Sequence, residues 1–144
     1  MQAWQVKRVL NAVNGSTALG LAVGALGGAR FARGPRGLVL GTGYRHRFPH
    51  AAAFTIGNVV LTRHPDSWWE GRELLLGHEE RHSWQYVALL GLPMLPAYGV
   101  AALWSLLRGG DHSTHNVFET RAGLAAGGYP LVSRRQRRRR GRTA

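Results

Sequence analysis

The chain has 144 residues, 44% of them apolar, which is enough for one modest core and too apolar for wholesale disorder. It contains no cysteine, so a disulfide framework and a thiolate-ligated metal are both excluded. The formal net charge is +12, but seven of the nineteen basic residues are arginines between 134 and 142, and without those seven the charge is +5. Basicity is therefore concentrated in a tail, and no nucleic-acid motif or stacking aromatic pattern accompanies it.

In chain order, Lys7-Arg8 precede an uncharged stretch from Val9 to Ala29. Asn11, Asn14, Ser16 and Thr17 dilute its first half, so it is a poor membrane span. Further arginines follow without a clean small-x-small site, which argues against a secretory signal. Residues 1–36 read as an N-terminal apolar and basic segment, a candidate for membrane association. Gly37 to Tyr44 and Ala53 to Thr62 carry the β signal. Phe54-Thr55-Ile56 and Val59-Val60-Leu61 flank Gly57-Asn58, a pair suited to a two-residue turn, so a small antiparallel hairpin is expected there.

Ser67 and Glu70 fit a capping box, which predicts a helix from about Trp69 to Gly91, with Trp68 and Trp69 as anchors. Leu92 to Pro96 reads as a turn, and a second helix is expected over Ala97 to Leu107. Val87 to Leu107 approaches a spanning length, but Pro93 and Pro96 break it, leaving a helical hairpin whose apolar face suits protein or membrane contact. Asp111 to Glu119 predicts another helix start, capped by Ser113 or Thr114. Residues 133–144 are a block of like charge without apolar periodicity, expected to be disordered and to contact anionic phospholipid headgroups or other polyanions. The expected fold is α+β, mostly helical: one domain over residues 1–132 and an Arg-rich tail.

The chemistry centres on His78-Glu79-Glu80-Arg81-His82, which satisfies HExxH. On a helix, residues four apart lie about 40° from eclipsed, so His78 and His82 project together and are able to grip one metal. Zinc held by two imidazoles and one further ligand keeps a fourth position for water, and Glu79 is the carboxylate placed to take a proton from it. Gln85, at i+7 from His78, joins the same stripe. The longer motif that adds a third histidine on the same segment is excluded, because Gln85 and Ala88 stand where it requires Gly and His. On the second helix His112, His115 and Glu119 follow i, i+3, i+7 spacing, so imidazole and carboxylate are both available as the third ligand.

Gly77-His78-Glu79-Glu80-Arg81-His82-Ser83-Trp84-Gln85 followed by Asn116-Val117-Phe118-Glu119-Thr120-Arg121-Ala122 resembles the zincin-like metallopeptidases of the gluzincin kind, notably small bacterial proteins with HExxHxxQ and a later NxxE helix. The similarity covers roughly residues 54 to 129. It implies that Glu119 is the third ligand. Gln85, His112, His115 and Asn116 are expected to support the ligands or to contact substrate, with His112 and His115 in reserve as a ligand or an oxyanion donor.

These observations lead to the expectation of a zinc-dependent hydrolase acting on a peptide substrate, located in the cytoplasm or on the cytoplasmic face of a membrane. The rival expectation is a non-catalytic, membrane-associated basic binding protein whose metal site is structural or vestigial.

Overall fold

The computed structural model describes residues 1–142. Two helices, α1 (Ala3–Val13) and α2 (Ser16–Leu26), lead into strands β1 (Arg30–Arg33), β2 (Val39–Thr42), β3 (Ala53–Ile56) and β4 (Val59–Thr62). Four helices follow: α3 (Glu73–Ala88), α4 (Met94–Gly109), α5 (Val117–Ala122) and α6 (Arg134–Arg140). The fold is α+β with about half of its residues helical, less than the mostly helical fold expected.

The hairpin over residues 53–62 forms as expected. Ala53 pairs with Thr62 and Ile56 with Val59 in antiparallel register. Gly57 takes φ of 62° while Asn58 stays at negative φ, the pattern of a two-residue hairpin turn with glycine first. The sheet is larger than that hairpin and mixed, with strand order β1-β2-β4-β3 and a parallel pairing of β2 with β4. Residues of β4 are fully buried because α2 covers one face while Leu38, Ala53, Trp68, Trp69 and Leu76 gather around Val60 on the other. The two indoles therefore serve as core anchors.

Helix boundaries differ from expectation for local reasons. Ser67 and Glu70 make no capping box; Ser67 lies in a 3-10 turn over Asp66–Trp69 that Glu70 ends, and Gly71 at φ of 70° separates that turn from α3. The second helix begins at Met94 rather than Ala97, since Pro93 is its cap and Pro96 lies in the first turn, where no intrahelical N–H is lost. The cap of α5 is Asn116, whose side chain accepts from the Phe118 N–H at 3.0 Å. Ser113 and Thr114 are taken up in a preceding turn by the Asp111 carboxylate.

Within the segment expected to be a disordered tail, residues 134–140 form α6; residues 143 and 144 lie outside the described residues. Ser133 and Gln136 form a capping box at the start of α6, and the Arg134 N–H donates to Asp111 Oδ2 at 2.9 Å. Local capping and this docking act against the mutual repulsion of the arginines.

Both α1 and α4 are amphipathic in the reverse sense. The inward face of α1 carries Lys7 and Asn11, while Val6, Val9, Leu10 and Val13 are exposed. Asn11 Nδ2 donates to the Ser83 carbonyl at 2.9 Å and reaches Asn58 Oδ1 at 3.2 Å, tying α1, the hairpin turn and α3 together. Lys7 Nζ lies 3.6 Å from Glu80 Oε1, and Arg36 meets the other oxygen of Glu80 at 2.5 Å. Burial lowers the Lys7 pKa, with Glu80 opposing that shift. Among the described residues, no single helix is long and apolar enough to cross a membrane; α1 and α2 pass only as a pair bent by 73°.

Glycine 57 gives a clean test of how the turn seats against α2. A Cβ there would lie 2.5 Å from backbone atoms of Ser16 and Thr17, whereas Gly43, at similar φ, has open space around it. Gly57→Ala is expected to cost about 2–4 kcal/mol in urea unfolding, combining left-handed strain with a backbone clash, and Gly43→Ala only about 1–2 kcal/mol. Equal losses would show that the turn is not pressed against α2.

Candidate metal centre

Helix α3 projects His78 and His82 toward the start of α5, where Glu119 sits in the first turn. The three ligand atoms converge. His78 Nε2 and His82 Nε2 are 3.0 Å apart, and Glu119 Oε2 lies 3.1 Å from the first and 3.3 Å from the second. All three residues are buried, at 1%, 7% and 2% exposure. Among the described residues they are the group of three or more His, Asp or Glu side chains able to hold one ion.

The other ring nitrogens decide what these atoms are. His78 Nδ1 faces the Gly123 carbonyl at 2.9 Å, which only accepts, so Nδ1 carries the proton and the neutral ring presents a lone pair at Nε2. His82 Nδ1 faces Gln85 Oε1 at 2.9 Å. The orientation of that amide follows from its other end, since Gln85 Nε2 donates to the Phe118 carbonyl at 2.9 Å. Neutral His82 therefore also presents Nε2 as an acceptor. Two lone pairs and one carboxylate oxygen meet with no donor among them, an arrangement that is unfavourable unless a cation or a proton enters.

The spacings fit a small divalent cation such as zinc. Bonds of about 2.0–2.1 Å in a tetrahedron place ligand atoms roughly 3.3 Å apart, close to the three observed separations. The cluster's electrostatics agree with a cation-seeking site. When a proton rather than a metal ion enters, burial would raise Glu119, but the hydrogen bonds it then accepts from His78 and His82 outweigh that and hold the carboxyl well below its usual range. Burial would lower His82, yet its hydrogen bond to Glu119 and the charge of Glu79 raise it overall.

A supporting shell holds the ligands. Tyr98 on α4 donates its hydroxyl to Glu119 Oε1, leaving Oε2 free for the centre. Burial, then the charge of Glu119, keeps the Tyr98 hydroxyl protonated far above its ordinary pKa. Arg81 clamps α5 to α3 by donating to the Ala122 carbonyl at 2.6 Å. Behind His78 the chain folds over at Gly127, where a Cβ would come within 2.5 Å of the ring. The Tyr129 ring lies 5.9 Å from that of His78.

Glu79 is not one of the converging groups. Thr55 on β3 donates to its Oε2 at 2.6 Å, and it is buried beside the centre. Desolvation raises its pKa, with His82 and the Thr55 hydrogen bond opposing, so this carboxylate is a stronger base than one in water.

Of the expected site residues, the fold brings together His78, His82, Glu119, Glu79 and Gln85. His112 and His115 do not join them, because α5 starts only at Val117 and the i, i+3, i+7 face never forms. His112 instead packs on Tyr129 with ring centroids 5.5 Å apart, and His115 seats against Gly109. Asn116 acts as the cap of the ligand helix. Sequence reasoning missed Thr55, Tyr98, Tyr129 and the Gly123 carbonyl. Tyr98 carried one usable signal, a lone phenol within a run of apolar residues.

If the shell orients the ligands as described, Tyr98→Phe and Gln85→Leu should each weaken zinc affinity by roughly 10–100-fold in chelator competition, with the fold retained. His78→Ala should abolish stoichiometric binding, and Gly127→Ala should weaken it by displacing the His78 ring. Unchanged affinity in both Tyr98→Phe and Gln85→Leu would contradict the assignment of the shell. Comparison with protein-family models, with curated proteins and with solved structures finds no match to this chain.

Proposed function

We propose that the protein is a zinc-dependent hydrolase of zincin-like design, with His78, His82 and Glu119 as ligands and Glu79 as general base, acting on amide bonds in a peptide substrate. The observation that carries this reading is the division of labour between two buried carboxylates. Glu119 Oε2 stands 3.1 and 3.3 Å from the two imidazole nitrogens, as a ligand must, while Glu79 is buried beside them, held by the Thr55 hydroxyl and left outside the converging set. A structural site has no use for such a poised base.

Zinc bound there would supply Lewis-acid polarisation of a carbonyl and lower the pKa of a nearby water. The chain's own residues do the rest. Glu79 takes the water proton on its carboxylate and passes it to the leaving amine, while the hydroxyl of Thr55 fixes the orientation of that carboxylate. Gln85 keeps the His82 ring in the tautomer that ligates. Strand β3 is the outer strand of the sheet and lies beside α3, which supports an extended peptide adding to its edge.

One observation favours the rival reading of a structural metal in a binding module: the four central residues are nearly all enclosed. Glu79→Gln separates the two. The amide keeps the shape and the Thr55 contact but takes no proton, so an enzyme should retain zinc and fold while losing about 10²- to 10⁴-fold in rate. The assay is a peptide library compared across wild type, Glu79→Gln and chelator-treated protein. Cleavage that persists in both altered samples, or no wild-type cleavage despite bound zinc, would overturn the hydrolase reading.

A further inference from the structure

Helix α4 buries its less apolar side. Its inward positions include Met94, Tyr98, Ser105 and Gly109, and Ser105 Oγ accepts the His115 N–H at 2.9 Å. Its outward stripe is Leu95, Val100, Leu103, Trp104 and Leu107, all exposed, with exposed Leu92 just before the helix. Ordinary surface helices place such residues inward; α4 turns them to the outside.

The stripe continues past the N-terminal end of α4. Leu90 is 80% exposed and sits at φ of 57°, a left-handed conformation that a leucine adopts at a cost and that asparagine or glycine would adopt readily. Neither core packing nor backbone geometry accounts for a leucine there. Next to it Gly91 presses on Asn14, which brings the end of α1 and exposed Val13 to the same corner. At the opposite end, α6 starts against α4. Arg135 donates to the Arg108 carbonyl at 3.2 Å, and every residue of α6 from Arg134 to Arg140 is exposed.

Charge selects the occupant. Residues 81–142 contain ten arginines and two carboxylates. Glu119 is buried in the metal centre, and Asp111 is engaged by Ser113, Thr114 and Arg134. An apolar face with an arginine helix at its end and no free carboxylate matches an anionic bilayer: acyl chains for the leucines, headgroup phosphates for the guanidinium groups, and the interface for Trp104. A second copy would bring like charge against like, and a nucleic acid would leave the leucines wet.

We propose that the outward face of α4, with Leu90 at one end and α6 at the other, seats the protein on anionic phospholipid membranes as an interfacial, non-spanning contact. The helix lies in the plane of the surface, with its apolar stripe below the headgroups. Tyr98 projects from the inward side of the same helix, so the metal centre is held about one helix diameter, roughly 10 Å, from the lipid. This inference is independent of the hydrolase reading.

The test is co-sedimentation of the full chain with vesicles of phosphatidylcholine alone or mixed with phosphatidylglycerol. Expected is partition onto the mixed vesicles, reduced but not abolished by high salt, because salt screens the arginines and leaves apolar insertion intact. Leu103→Asn combined with Leu107→Asn should lower partition by about tenfold or more. Leu90→Asn, which suits its backbone, should lower it several-fold without loss of stability. Arg137→Gln with Arg138→Gln should flatten the salt dependence. Zinc content and thermal unfolding of each variant verify the fold. Partition that is unaffected by both leucine substitutions would overturn the proposal, as would binding to RNA but not to vesicles. So would a wild-type dimer that ignores vesicles and falls apart in the Leu103, Leu107 variant.

Discussion

Two imidazole lone pairs and one carboxylate oxygen, brought to within 3.0–3.3 Å of each other in a buried place, set the terms for the rest of this molecule. Acceptors do not gather in that way on their own. Each is held by a partner on its far side: Gly123 and Gln85 for the rings, Tyr98 for Glu119. Those partners come from α5, α3 and α4, so the centre doubles as the junction of three helices. Removing a ligand would free its partners as well, and coupled groups of this kind respond non-additively to substitution.

The scaffold around α3 is unusually polar for so small a domain. Asn11, Asn58 and Ser83 form a closed set of hydrogen bonds at the meeting point of α1, the hairpin turn and α3, while Lys7 and Arg36 share Glu80. Directional bonds of this kind fix the rotation of a helix about its own axis more sharply than leucine packing does, because a buried polar group out of register loses its partner outright. Rotation of α3 is what aims His78 and His82. Helices α1 and α4 spend their polar faces on this internal network and on Tyr98, and their apolar faces are left outward as a result.

Much of this was legible in the residues. Period-two β residues around Gly57-Asn58 marked the hairpin, and HExxH marked the face of α3 that meets Glu119, since both signals are local and periodic. What was not legible depended on distant partners or on competition between neighbours. Strand β1 is exposed along its whole length and shows no alternation, so nothing in Arg30–Arg33 distinguishes it from a loop. The parallel pairing of β2 with β4 joins segments separated by another strand. Ser113, Thr114 and Asn116 are all capable caps, and Asp111 decides among them by engaging the first two. In the tail, the run of arginines from Arg134 to Arg142 masks the Ser133 and Gln136 capping box that starts α6.

The central claim is that three named atoms bind one zinc ion and leave a position open. Crystals of the zinc-loaded protein, measured on both sides of the zinc absorption edge, test it most directly. The account predicts a single strong anomalous peak about 2.0–2.2 Å from His78 Nε2, His82 Nε2 and a Glu119 oxygen, with no fourth protein ligand. A peak elsewhere, or a fourth protein ligand closing the shell, would contradict it.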